Sequence, residues 1–328
     1  MNTDILVTGA AGFVGAHAAA ALADRGWRVT GCDSFNDYYD PALKHHRVQT
    51  LLAPRGVPCV QADLADPAAV QALFDQTPFT HVLHLAAQAG VRDAAEAPEA
   101  YVQSNLVGFG HVIEACRRRG VQHLVYASSS SVYGVRSKVP FHEDDDTVQP
   151  ASLYAATKRS NELVAHAYAH RFGLHSTGLR FFTVYGPWGR PDMAYFSFAR
   201  ALRAGQPITV YGEGKLQRDF TYIDDIVESM CRLLDKPCAF AGQADPTGVF
   251  NIGNRHPVTV SHFVELLEAA VGHKAVIRHA PMPPDDVPIT CADTTRLEAF
   301  TGFQPDTPLK TGLERFAAWL QTWEPTPP

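Results

Sequence analysis

Paired cysteines, blocks of basic charge and long apolar runs are all missing from this 328-residue chain. Its six cysteines (Cys32, Cys59, Cys116, Cys231, Cys238 and Cys291) never fall in a C-x-x-C spacing. That argues against a zinc site or a disulfide framework and for reduced thiols. Fifteen histidines are present, yet none stands in H-E-x-x-H, and His45-His46 is an isolated pair. No metal is expected. The longest basic run is Arg117-Arg118-Arg119 and the formal net charge is −6. A nucleic-acid surface is therefore not expected, and the triplet reads as a solvated helix end. No apolar stretch reaches membrane-spanning length and no signal peptide precedes the first strand, so a soluble, cytoplasmic protein is expected. Internal repeats are absent, and the Pro-rich tail Pro325 to Pro328 is the one biased segment.

What is present is a regular alternation. The length suffices for two domains, or one large α/β domain with an appended lobe. Asp4 to Thr8 reads as a short apolar strand, Gly9-Ala10-Ala11-Gly12-Phe13-Val14-Gly15 follows at once, and Ala16 to Arg25 is Ala-rich and helical. A glycine-rich turn between strand and helix sets backbone N–H groups and a helix amino terminus against a pyrophosphate. The second strand, Trp27 to Cys32, ends at Asp33, an acid placed to accept from adenosine ribose hydroxyls and to repel a 2′-phosphate. NAD is thus favoured over NADP. Further strands are expected at Pro58–Ala62, ending at Asp63-Leu64, and at His81–Leu85, running into Ala86-Ala87-Gln88. A helix is expected over Tyr101–Arg117, carrying Asn105. Strands alternating with helices at this spacing predict a parallel, doubly wound sheet with ligands at the strands' carboxyl ends.

The chemistry concentrates between Leu124 and Lys158. An apolar strand, Leu124 to Ala127, runs into the hydroxyls Ser128-Ser129-Ser130-Ser131. Tyr154 and Lys158 then open a helical run and sit one turn apart on one face. A phenol ordinarily ionises near about pH 10, and a neighbouring ammonium favours its phenolate. A strand-end hydroxyl with that pair can take a proton from an alcohol while hydride leaves its carbon. This is the Ser-Tyr-Lys arrangement of the short-chain dehydrogenase/reductase superfamily, which the stretch resembles.

Downstream, Met193–Ala204 reads as a helix, Val210–Gly214 as a turn and Val249–Gly253 as a strand. Ser261–Val271 reads as an amphipathic helix capped by Ser261. Asp224-Asp225 is a helix-cap signal, and Trp319 and Trp323 read as packing residues.

The landmarks Thr8 to Gly15, His84 to Ala87, Ser128 to Gly134, Tyr154 to Lys158 and Arg218-Asp219-Phe220 together resemble the nucleotide-sugar branch of that superfamily over nearly the whole chain. The resemblance implies a Rossmann-type NAD-binding domain over 1–178, with later strands returning to it from roughly 179–186 and 215–252. A smaller mixed α/β domain over 187–328 would bind mainly the UDP-sugar. Related dehydratases carry Asp and Glu just before Val-Tyr-Gly, and related decarboxylases a Glu. Here those positions are Ser130 and Ser131, which points to C4 epimerisation.

The segment Arg180 to Met193, with Asn36-Asp37-Tyr38-Tyr39-Asp40, is similar to the UDP-glucuronate 4-epimerases. That likeness implies catalytic roles for Tyr154, Lys158, Ser129 and Ser130. It implies NAD contacts from Gly9, Gly12, Phe13, Val14, Gly15, Asp33, Asn36, Asp63 and Leu64. Leu85, Ala86, Ala87, Gln88, Asn105, Tyr154 and Lys158 complete that set. For the substrate it implies Arg92, Ser129, Ser130, Thr183, Arg190, Arg218 and Asp286. Thr183 and Arg190 would hold the sugar carboxylate, for which a guanidinium fork is suited. Arg218 would meet the diphosphate and Asp286 the uridine ribose. Many relatives carry a basic or amide residue at position 283 and Gly at 285, where this chain has Pro283 and Asp285. A homodimer is the family expectation. The other readings are a 4-epimerase of neutral UDP-hexoses or UDP-N-acetylhexosamines, a UDP-glucuronate decarboxylase, and a non-catalytic NAD-binding protein.

Overall fold

A computed structural model of the chain describes residues 3–91, 93–135, 138–236, 238–240, 246–283 and 286–323. Arg92 and Asp285 lie outside the described residues. The first six strands are β1 (Asp4–Thr8), β2 (Arg28–Asp33), β3 (Cys59–Gln61), β4 (His81–His84), β5 (His123–Ser129) and β6 (Ser176–Phe181). The helices among them are α1 (Phe13–Asp24), α2 (Pro41–Arg47), α3 (Pro67–Gln76), α4 (Pro98–Tyr101), α5 (Gly108–Arg119) and α6 (Leu153–Phe172). Later strands are β7 (Thr183–Tyr185), β8 (Pro207–Tyr211), β9 (Gln217–Arg218), β10 (Phe220–Tyr222), β11 (Thr247–Ile252), β12 (Val258–Thr259) and β13 (Val276–Ala280). Later helices are α7 (Ala194–Arg203), α8 (Ile223–Leu234), α9 (Val260–Val271), α10 (Thr295–Thr301) and α11 (Leu309–Trp323).

The chain forms two compact units. One holds residues 1–134, 146–181 and 227–250; the other holds 135–145, 182–226 and 251–328.

The first unit is built on a seven-stranded sheet in the order β11-β6-β5-β4-β1-β2-β3. The pairings from β6 through β3 are all parallel, as the alternation predicts. Strand order reverses between β1 and β4, which opens the crevice where ligands of such sheets bind. Leu6, Val82 and Leu124 project from three adjacent strands onto Phe109, Val112, Ile113 and Cys116 of α5. Each such side chain, fully buried, contributes about 1.5–3 kcal/mol. On α1 the buried face is mostly alanine, so the helix lies close over the strand ends.

The expected helix over Tyr101–Arg117 has a different form. Between α4 and α5, residues Val102–Val107 form a π-helical stretch, whose extra residue widens the turn, a form found frequently at functional sites.

The second unit carries three two-stranded sheets, β7–β10, β9–β12 and β8–β13. Residues Val210–Gly214 do not form a turn throughout: the first two belong to β8, and a 3-10 turn follows. The buried Asp219 ties this unit together. One of its oxygens accepts from Asn254 N at 2.7 Å, the other from Ala292 N at 2.9 Å and Arg255 N at 3.1 Å. Helix α9 is capped by Thr259, whose hydroxyl accepts from His262 N at 3.2 Å, rather than by Ser261. Ser261 is drawn away because its hydroxyl donates to Gly214 O. Asp225 receives the N–H and hydroxyl of Thr307, so it secures a loop. Trp188, Trp319 and Trp323 pack as a cluster of rings 5.2–6.3 Å apart.

Among the described residues, no helix is long and apolar enough to cross a membrane. Nor do these residues bring together three metal-binding side chains.

Candidate active site

In the first unit the glycine-rich turn is shaped by what it excludes. Gly9 has φ +69°, and a Cβ there would meet Ala86 N at 2.8 Å. A Cβ on Gly15 would meet Gly9 O at 2.0 Å. Only glycine permits this close wrap, and it leaves Gly12 at the start of α1 without a side-chain cap. The uncapped N–H groups of the first turn, around Phe13 and Val14, are thus available to an anion. Thr8 Oγ1 accepts from Leu85 N and Ala86 N, both at 3.1 Å. The same hydroxyl shares a hydrogen bond with Nδ1 of His84, 2.9 Å away. Burial, helped by the Lys158 charge, presses His84 down to about 3, so this ring stays neutral, and through Thr8 it fixes the end of β4.

Asp33 ends β2, where the sequence places it, and is buried. Its carboxylate accepts from Phe35 N at 2.9 Å and Ala11 N at 3.2 Å, fixing it beside the glycine turn. The exposed Asp63 accepts from Ala65 N, and Leu64 beside it is buried. Asn36 donates to Gln88 Oε1 at 3.3 Å. Gln88 exchanges backbone hydrogen bonds with the Asn105 amide, which also donates to Thr157 on α6. Asn105 sits in the π-helical stretch, and Asn161 of α6 donates to its carbonyl at 2.7 Å. One continuous network therefore joins the Asp33 corner to the helix bearing Tyr154 and Lys158.

On α6, Ser152 caps the amino terminus by accepting from Ala155 N. Tyr154 and Lys158 follow one turn apart, with the ammonium 5.9 Å from the Tyr154 ring centre. Lys158 is buried, donates to Ala127 O at 3.0 Å, and is pushed down to about 8 by desolvation. Tyr101 meets Tyr154 edge to face at 6.3 Å. At the end of β5, Ser129 Oγ accepts from Ser131 N at 3.2 Å and from the Ser131 hydroxyl at 2.8 Å. As acceptor in both contacts, Ser129 is left to act as a donor toward a third group. Ser130 opens the 3-10 turn that follows.

Beneath these groups lies a cluster that sequence reasoning missed. Arg180 of β6 makes two parallel bonds to Glu162 of α6, at 2.8 and 2.9 Å. Ser128 donates to the same carboxylate at 2.6 Å and Arg159 adds a fourth contact at 2.8 Å. Burial opposes the Glu162 charge, but the Arg180, Ser128 and Arg159 contacts outweigh it and hold the carboxyl below its ordinary value. Lys44 and Arg47 were missed as well: both are buried on α2 close to Asp33 and Ala11. Their i, i+3 spacing on a short helix was the available signal.

In the second unit, Thr183 is half-buried on β7, and its N–H donates to Asp219 O. Arg190 presents its Nε edge to Asp192, with Nε to Oδ1 at 3.1 Å and Nη2 to Oδ2. Two residues before it is Trp188, a non-glycine residue at φ +62° whose ring packs against Trp319 and Trp323. Arg218 donates to Asp286 Oδ1 at 2.5 Å, so two predicted substrate residues stand together. The carbonyl of Pro283, three residues before Asp286, accepts from Asp286 N at 3.1 Å.

A family model for the NAD dependent epimerase/dehydratase family matches residues 5–253. UDP-glucuronate 4-epimerase 1 of Arabidopsis thaliana is 51% identical over 330 residues, covering 97% of this chain and 77% of the relative. The crystal structure of UDP-glucuronic acid 4-epimerase from Bacillus cereus, in complex with UDP-glucuronic acid and NAD, is similar with a TM-score of 0.89. It is 31% identical and is covered over 98% of this chain and 100% of its own. A UDP-glucose 4-epimerase from Thermus thermophilus, in complex with NAD, is similar with a TM-score of 0.86 at 29% identity, over 97% and 99% of the two chains.

Proposed function

The chain belongs to the NAD dependent epimerase/dehydratase family, and from that premise we infer that it is an isomerase interconverting UDP-glucuronate and UDP-galacturonate at C4. The observation that carries the substrate is the 51% identity to a UDP-glucuronate 4-epimerase over 97% of this chain. Fold likeness alone does not separate uronates from neutral hexoses, since a UDP-glucose 4-epimerase is nearly as similar in shape.

The first unit fits NAD: Gly9 and Gly15 leave no room for side chains where the backbone must approach a pyrophosphate, and Asp33 supplies the ribose acceptor. The cofactor's contribution when bound is a reversible store for the hydride that C4 gives up and regains. Everything else falls to the chain. Tyr154 takes the O4 proton as a phenolate and returns it at the end. Lys158, charged below about 8, favours that phenolate. Ser129 donates to O4, with Ser130 beside it. No proton is gained or lost over a cycle, and the sugar turns its other face while the UDP half stays anchored.

The substrate side is read onto the second unit. Thr183 and Arg190 hold the uronate carboxylate, and its fixed plane keeps a β-keto acid from losing CO2. Arg218 meets the diphosphate and Asp286 the uridine ribose, while Arg92 adds a contact from outside the described residues. The absence of a carboxyl group at Ser130 and Ser131 leaves reduction of the 4-keto sugar as its exit. We take the enzyme to work in the cytoplasm as a homodimer.

The test is proton NMR of purified protein with UDP-glucuronate, and separately with UDP-glucose and UDP-N-acetylglucosamine. The reading expects UDP-galacturonate without a UDP-pentose or CO2. Turnover of the neutral sugars alone would remove Arg190 and Thr183 from the site, and a pentose product would make the enzyme a decarboxylase.

A further inference from the structure

The corner around Asp33 contains a charge that neither composition nor the NAD preference calls for. Lys44 is 5% exposed, although a lysine is almost never fully buried unless paired. Its ammonium donates to Asn36 O at 2.8 Å and to Asn36 Oδ1 at 2.6 Å, and stands 4.0 Å from Asp33 Oδ1. Tyr39 lies under it, with the ring centre 5.1 Å away. Arg47, one turn on, is committed elsewhere: it donates to Ala11 O at 3.0 Å and to the Tyr39 hydroxyl at 2.6 Å, bracing the glycine turn. Lys44 is therefore the cation placed at the acid that reads the ribose.

An acid at the end of the second strand accepts from the ribose 2′-hydroxyl and repels a 2′-phosphate. A phosphate on that oxygen would project within reach of an ammonium only 4.0 Å from the carboxylate. We propose that Asp33 and Lys44 form one selectivity device at the adenosine ribose. The carboxylate excludes NADP, while the Lys44 charge beside it offsets part of its repulsion of a 2′-phosphate. Without Asp33 the corner becomes a 2′-phosphate site, because the buried cation loses its nearest counter-charge, the exposed Asp37 remaining as a weaker one, and a phosphate supplies another. The inference rests on Asp33 being the ribose acceptor.

Dissociation constants for NAD and NADP would be measured by calorimetry on protein stripped of dinucleotide, with a melting curve for each variant. Asp33→Asn is expected to tighten NADP at least about tenfold relative to the unchanged chain. Adding Lys44→Met is expected to cancel that gain, while NAD affinity differs less than about threefold between the two variants. An equal gain with and without Lys44 would overturn the proposal, as would no gain in Asp33→Asn. Should Asp33→Asn not fold, Lys44→Gln alone decides: NADP binding must weaken at least about tenfold with NAD held within about threefold, and an unchanged ratio refutes the device. If the unchanged chain binds NADP as tightly as NAD, Asp33 is not the ribose acceptor, and the NAD reading fails along with the inference. A chain that prefers NAD with no dependence on Lys44 sinks only the inference.

Discussion

Lys158→Met separates what the buried ammonium does for catalysis from what it costs the fold. The side chain is almost fully enclosed, and burial brings it from an ordinary 10.5 to about 8. At about 1.36 kcal/mol per pKa unit, holding it charged at pH 7 costs about 3 kcal/mol. Methionine fills a similar volume without charge and gives up one hydrogen bond, to Ala127 O, worth about 1 kcal/mol. The variant should gain about 2 kcal/mol, or about 3 °C in melting temperature for a chain of this scale. Catalysis should move the other way, by a factor of about 10² or more, since the phenolate loses its ammonium.

The gain also has a pH signature. Above pH 8 the folded protein releases the Lys158 proton while the unfolded chain keeps it to about 10.5. The unfolded state then binds more protons, so the unchanged protein gains stability as pH rises from about 8, and its gap to the variant narrows. Melting curves at about pH 7 and about pH 9.5, on protein freed of dinucleotide so that ligand linkage does not enter, would be read beside NMR progress curves. A variant that melts lower at pH 7, or a gap that ignores pH, refutes the burial argument. Retained turnover refutes the role given to Lys158.

Other expectations follow from single contacts. Glu162→Gln breaks the buried pairing with Arg180 and should cost about 3–5 kcal/mol in denaturant titration. That contribution in the unchanged protein should fade as acid protonates Glu162, below its ordinary value. Asp219→Asn turns an amide N–H toward backbone donors that now meet a carboxylate, and should lower stability by about 1–3 kcal/mol in the same assay. Asp192→Asn loosens the guanidinium of Arg190, and should divert part of the UDP-glucuronate flux to a UDP-pentose detectable by NMR. Burial pushes the thiols of Cys59 and Cys231 up to about 12. A disulfide reagent at about pH 8 should therefore label less than one equivalent of folded protein and all six cysteines once denatured.

The parts of this molecule that were legible in sequence are those where neighbours along the chain decide the outcome. Gly9, Gly12 and Gly15 between a strand and an alanine-rich helix have one structural use, and Tyr154 and Lys158 share a helix face by spacing alone. The parts that were not legible depend on distant residues. Lys44 is buried because Asp33 and Asn36 fold back over it. Arg180 meets Glu162 because β6 lies beside β5 and α6 covers them. Ser261 is the cap that the sequence offers, yet its hydroxyl is engaged by Gly214 and Thr259 caps the helix instead. The π-helical stretch at Val102–Val107 has no local cue, since what repays its wide turn is the contact of Asn105 with Gln88 and α6.

The division of the chain among its two units bears on how it can be made. Each unit gathers three separate stretches of sequence, and the first is completed only by residues 227–250. Strand β6 thus emerges from the ribosome some seventy residues before β11, which pairs along its outer side, judged from their positions. In that interval the nascent sheet ends in an unpaired edge, the element through which immature proteins join one another. Yield should therefore hinge on how well that edge is shielded during synthesis. A shortened version cut after Phe181 would keep the dinucleotide turn and the Tyr154–Lys158 helix, yet carry the exposed edge permanently.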